Sequence, residues 1–181
     1  MLNRLAALLL LVGLCLPYAG DVRPITGVWH DLPSILFLGI PVIAGVIYGL
    51  HTLVPPLAAF HERNGAALHT IFRVVYFGLV GGYLAFAVTK RQDQPGLIET
   101  AVALVVTGTL VVWKQRRGTK AVRLPMLLLA VVGVPDVAYL AALLGSGGVQ
   151  AGAWVLTAGW VLGVLSEVRT LAVAPIVVHS G

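Results

Sequence analysis

Asp136 follows Pro135 inside the apolar stretch LPMLLLAVVGVPDVAYLAALLG. An ionisable residue in such a run is costly and is kept for a reason. Pro135 has no N–H, so a backbone carbonyl one turn earlier is left without its helical partner beside that carboxyl group. An aspartate so placed can carry a proton, hold a cation or hydrogen-bond a neighbouring helix. A second set lies earlier. The spacing of His69, Arg73 and Tyr76 places them on one helix face, and Tyr48, His51 and Thr52 share a face on the preceding apolar stretch. The connection between the two stretches is short, so the helices are expected to run antiparallel. Their polar faces would then meet in a pocket open toward the cytoplasm.

Three chemistries compete for these residues. Arg73 can snorkel toward the headgroups, its stem in the apolar layer. It can instead pair with Asp136, since intramembrane charges first seek partners; in a small carrier or channel, that pair would form a midplane site. Finally, His51 and His69 offer two imidazoles from adjacent helices, the usual axial ligand for haem iron and suited to the magnesium of a chlorophyll-type pigment. Arg73 would then lie near a haem propionate. Structural pairing is the leading expectation, and it demands no cofactor.

Enzyme chemistry fails on inventory. No HExxH, CxxC or GxSxG motif occurs. Asp and Glu together number 7, too few and too scattered for a two-carboxylate metal site. The single cysteine, Cys15, excludes an intrachain disulfide and a cysteine-based metal centre. No catalytic residue and no metal site are expected.

The elements that must position these residues follow from composition. The 181 residues are 59% hydrophobic and 10% charged, whereas charged residues make up about a quarter of an ordinary soluble chain. Mean hydropathy is +0.96. A soluble domain of this size cannot bury so much apolar surface. The fold class expected is all-α: a polytopic integral membrane protein of about six spans, at 4–20, 32–54, 67–88, 97–113, 124–144 and 150–168. Strands are excluded because period-2 alternation is absent. The first eighteen residues resemble a signal peptide, yet Leu14 precedes Cys15 where a lipoprotein signal wants a small residue; the segment reads as a short first span. The breaks are GDVRPITGVWHD, PPLAAFHERNGA, TKRQDQPG, the basic run KQRRGTKAVR and GSGG.

The basic run fixes the orientation. Lys114, Arg116, Arg117, Lys120 and Arg123 resist translocation, which puts the 114–123 loop in the cytoplasm, along with the 55–66 loop and both termini. Arg4, Arg63, Arg73 and Arg169 then also fall inward, and only Arg23, Lys90 and Arg91 face out. Such a loop meets anionic lipid headgroups, at about 1 kcal/mol per cation. Nucleic-acid binding is not expected despite a pI near 9.8. Tyr18, Trp29 and Trp113 sit at span boundaries as interfacial anchors. Helix six is expected to continue through Glu167, with the course of 170–181 left open.

The whole chain, 1–181, reads as a single transmembrane domain with a weak 3+3 pattern. LPSILFLGIP in the second span resembles LPMLLLAVVGVP in the fifth, and Gly78 and Gly82 in the third match Gly159 and Gly163 in the sixth. Halves 1–93 and 94–181 would then be inverted repeats, a plan that carriers use, although such spacing is more often helix packing. The function expected is a small integral-membrane subunit or accessory scaffold of a larger complex, without catalysis of its own and associated with other membrane subunits. A carrier or channel using Asp136 and Arg73, and a haem- or pigment-bearing electron-transfer subunit using His51 and His69, are the alternatives. The location expected is a bacterial-type cytoplasmic (inner) membrane.

Overall fold

A computed structural model describes residues 1–29, 35–89, 97–117 and 124–173. These are helical, with no strand among them; Ala19 forms isolated bridges to Val22 and Val149. Helix α1 runs Leu2–Cys15. It stops short of the expected residue 20 because Pro17 pushes Leu16 into an extended conformation (φ −85°, ψ 156°). Its 14 residues cover about 21 Å, less than a hydrocarbon core of about 30 Å. Gly20 (φ 54°) then turns the chain, and the Tyr18 N–H donates to the Val22 carbonyl at 2.8 Å. A short helix, α2 (Pro24–Gly27), follows.

Helix α3 (Ile40–Leu53) is entered through one wide π turn, Ile35–Gly39. It ends at Val54, before Pro55. The segment PPLAAFHERNGA, expected as a plain break, instead contains helix α4 (Pro55–Arg63), which leaves α3 at 106°. Pro55 and Pro56 end one helix and start the next, since first-turn residues need no N–H partner.

Helix α5 spans Gly65–Thr89 and widens into a π turn over Tyr76–Gly81. Helix α6 (Leu97–Arg117) runs past the expected residue 113, so Lys114, Arg116 and Arg117 continue a helix rather than lie in a loop. Lys120 and Arg123 lie outside the described residues. Helices α7 (Leu124–Ser146) and α8 (Ala151–Val173) complete the chain, and α8 carries Glu167 and Arg169 within it.

Among the described residues three helices, Gly65–Thr89, Leu124–Gly145 and Ala151–Thr170, are long and apolar enough to cross a membrane, or up to four if bent α3 and α4 count as one span. Leu2–Cys15 and Ala101–Trp113 are apolar but shorter. The described residues therefore form an all-helical fold with the makings of an integral membrane protein.

The core sits where α1 packs on α3 and α8, and α7 packs on α3, α6 and α8. Leu10, Leu14, Tyr48, Leu129, Val131 and Leu156 fill it. Backbones come close because glycines line the seams. A Cβ at Gly13 would lie 2.5 Å from the Leu156 nitrogen, and one at Gly159 would lie 2.6 Å from the Leu10 nitrogen. Gly133 makes room for the Trp160 ring, whose Nε1–H donates to the Leu129 carbonyl at 2.8 Å. Helix α5 is different: most of its apolar stretch is left uncovered by the other helices.

Candidate functional site: two cavities

The polar residues gather at two places. The first is a polar cavity of about 910 Å³, built from residues 1–4, the end of α3, the end of α4, the starts of α5 and α7, and Glu167 of α8. His51 and His61 face each other there, Nδ1 to Nδ1 at 2.8 Å, with ring centroids 4.9 Å apart. One nitrogen of that contact carries the proton and the other accepts it. His69 lines the same cavity, as do Arg4, Glu62 and Arg63. His51 and His69 are thus brought to one cavity, and His61 joins them because α4 folds back.

The other members of that expected set fall elsewhere. Tyr48 is fully buried among the helices, one turn deeper than the cavity-lining Thr52. Its hydroxyl has no hydrogen-bond partner among the described residues. A Cβ at Gly163, one turn deeper than Glu167, would stand 3.1 Å from that hydroxyl. Arg73 is half-buried, and its Nη2 makes a long contact, 3.5 Å, to Thr70 Oγ1 on its own helix. Tyr76 is buried, stacked on Phe72 at 5.4 Å and edge-on to Phe77 at 5.5 Å. The expected face His69–Arg73–Tyr76 therefore descends from the cavity into an aromatic cluster, and neither Arg73 nor Tyr76 lines the pocket.

The second cavity, about 330 Å³, lies toward the other end of the bundle. Asp136 is its ionisable residue, and Leu14, Val28, Val42, Val132 and Leu156 are among its apolar walls. Asp136 is 5% exposed. The Tyr18 hydroxyl reaches Asp136 Oδ1 at 2.8 Å and the Asp136 carbonyl at 3.0 Å, sharing one proton between them. Thr157 donates its hydroxyl to Oδ2 at 2.8 Å.

The expected Arg73–Asp136 pair is not formed. Helix α5 packs on α6 and on the π turn leading to α3, and makes no substantial contact with α7, so Arg73 and Asp136 belong to different neighbourhoods. Tyr18, expected as an interfacial anchor, is the residue that holds Asp136. No local signal could announce this contact, since 118 positions separate the partners. Thr157 sits in an apolar helix, where a hydroxyl equally well bonds its own backbone, as Thr70 and Thr109 do.

Among the described residues, no group of three or more His, Cys, Asp or Glu could hold a metal ion. Comparison with protein-family models, with curated proteins and with solved structures yields no match.

Proposed function

We propose that the chain threads a bacterial-type cytoplasmic membrane about six times, with both termini inside, and serves as a small non-catalytic subunit or scaffold of a larger membrane complex. The threading is supported by the polar cavity, which brings residues 1–4, 51–66, 124–125 and Glu167 to one end of the bundle. An antiparallel path of six helices needs those chain positions on one side. In this reading the basic run 114–123 is cytoplasmic as well, where positive charge stays and meets anionic headgroups.

The observation that carries the subunit reading is the bare flank of α5. It is mostly uncovered by its own chain, and a side chain added at Gly78, Gly81 or Gly82 would meet nothing within 4 Å. Small residues on an exposed membrane helix suit close approach of another helix. Purification through a tag in a gentle detergent tests it. A partner that co-elutes with the wild type and is lost with Gly78→Leu/Gly82→Leu supports the reading; a chain that emerges alone and monodisperse removes it. The haem or pigment alternative draws on His51 and His69 facing one cavity, and a purified protein with no Soret or pigment band ends it.

A further inference from the structure

We propose that the Asp136 cavity is a binding site for an organic cation: an ammonium group carried on a compact hydrocarbon or aromatic body. The inference goes beyond the subunit reading and does not depend on it, since it concerns the opposite end of the bundle.

Four observations converge. The cavity, about 330 Å³, falls within the range of small-ligand sites, which join apolar walls to a few placed polar groups. Its walls are the side chains of Leu14, Val28, Val42, Val132 and Leu156 from four different helices and the 16–29 connection, so a hydrocarbon body is wetted by apolar surface on several sides.

Asp136 supplies the polar group, and it is held in a fixed orientation: Tyr18 engages one oxygen and Thr157 the other, each at 2.8 Å. A carboxylate offers about four acceptor positions, so two hydroxyl donors orient it without exhausting it.

Third, among the described residues no basic side chain pairs with Asp136; its contacts are those two hydroxyls. A charged carboxylate in apolar surroundings is stabilised by a paired cation. An ammonium ligand provides that charge and takes the remaining acceptor positions. Fourth, Val22 on the cavity lining is 53% exposed, which marks a rim through which a ligand reaches the carboxylate.

The donor set separates this ligand class from others. An anion would meet the carboxylate head-on. A hard metal cation wants six or more oxygens, and the side-chain oxygens gathered here are those of Asp136 and the Tyr18 and Thr157 hydroxyls.

The test is equilibrium binding of radiolabelled 4-tert-butylbenzylamine to the purified full chain in detergent, read by scintillation proximity. The matching benzyl alcohol and benzoate serve as competitors of the same body. Saturable binding of the amine is expected, with the alcohol and the benzoate competing at least about tenfold more weakly. Asp136→Asn is expected to lower affinity by about tenfold or more, equivalent to about 1.4 kcal/mol. Val22→Trp, which fills the rim and leaves the carboxylate in place, is expected to weaken binding without changing elution on gel filtration. Should Asp136→Asn fail to fold, Val22→Trp decides alone. Absence of saturable binding overturns the proposal. So does an alcohol that competes as well as the amine, or binding unchanged in both variants.

Discussion

Helices α8 and α5 carry glycines at the same spacing, and the two pairs do opposite things. A Cβ at Gly159 would stand 2.6 Å from the Leu10 nitrogen and 3.0 Å from the Ala6 carbonyl oxygen; one at Gly163 would meet Leu129 at 3.0 Å. At Gly78 and Gly82 it would meet nothing within 4 Å. The spacing permits close approach but does not cause it. What decides is whether another helix of the same chain arrives, and on α8 those helices are α1 at Gly159 and α7 at Gly163. The contrast extends to polar groups: Asp136 is tied to the connection after α1 and to α8, whereas the hydrogen bond of Arg73 stays within α5.

The strongest way to break this comparison is to load both glycine pairs. Gly159→Val places new carbon against the backbone of α1, which cannot rotate away. Overpacking of this kind costs about 1–3 kcal/mol, and the upper part of that range is expected, seen as a lowered unfolding midpoint in detergent. Gly78→Val in the same assay should move the midpoint far less. Equal losses at the two positions would mean that the open flank of α5 is covered in the folded molecule.

Asp136→Ala comes next. It removes both carboxyl acceptors while Tyr18 keeps the backbone carbonyl of residue 136. The loss should therefore be one buried hydrogen bond and its desolvation, about 1–2 kcal/mol. Asp136→Asn, which keeps an acceptor, should cost less than the alanine. If Asn and Ala are equally damaging, the charge rather than the hydrogen bonding sustains the contact.

The same contrast marks what the sequence could and could not disclose. Helices α5, α7 and α8 were legible because each is a long apolar run, and hydropathy needs no partner to be read. Helix α1 is shorter than its apolar run because Pro17 acts through the backbone of Leu16, which hydropathy does not register. Helix α4 is hard to read from sequence because Pro55-Pro56 signals a break to the helix before it and a start to the helix after it, and the two signals are the same residues. Without α4, His61 could not be placed beside His51. Asp136 was legible as a costly residue but not its partners, since Tyr18 and Thr157 come from remote segments. The two glycine pairs looked alike for the same reason: their difference lies wholly in what packs against them.

On α5 itself a gain is expected. Gly82 lies inside a helix with open space around it, so Gly82→Ala removes backbone freedom from the unfolded chain without a clash. The purified chain should gain about 0.5–1 kcal/mol, read as a raised midpoint. Gly13→Ala, chemically the same change on α1, should lower it, because the new methyl would lie 2.5 Å from the Leu156 nitrogen. Opposite signs for one substitution would sharpen the comparison more than any difference in size.

The smallest effect belongs to Arg73→Ala. An arginine that paired with a buried aspartate would be costly to remove, at about 3–5 kcal/mol, because the carboxylate would be left uncompensated. Here the guanidinium makes a single long contact to Thr70 and Asp136 already has its two hydroxyl donors. The substitution should therefore shift stability by no more than about 0.5 kcal/mol, the ordinary range for a side chain away from packed features. The double variant Arg73→Ala/Asp136→Ala should equal the sum of its parts within about 0.5 kcal/mol, as uncoupled sites do. A larger coupling energy would place the two residues in one network and dissolve the separation between bundle and flank on which the contrast rests.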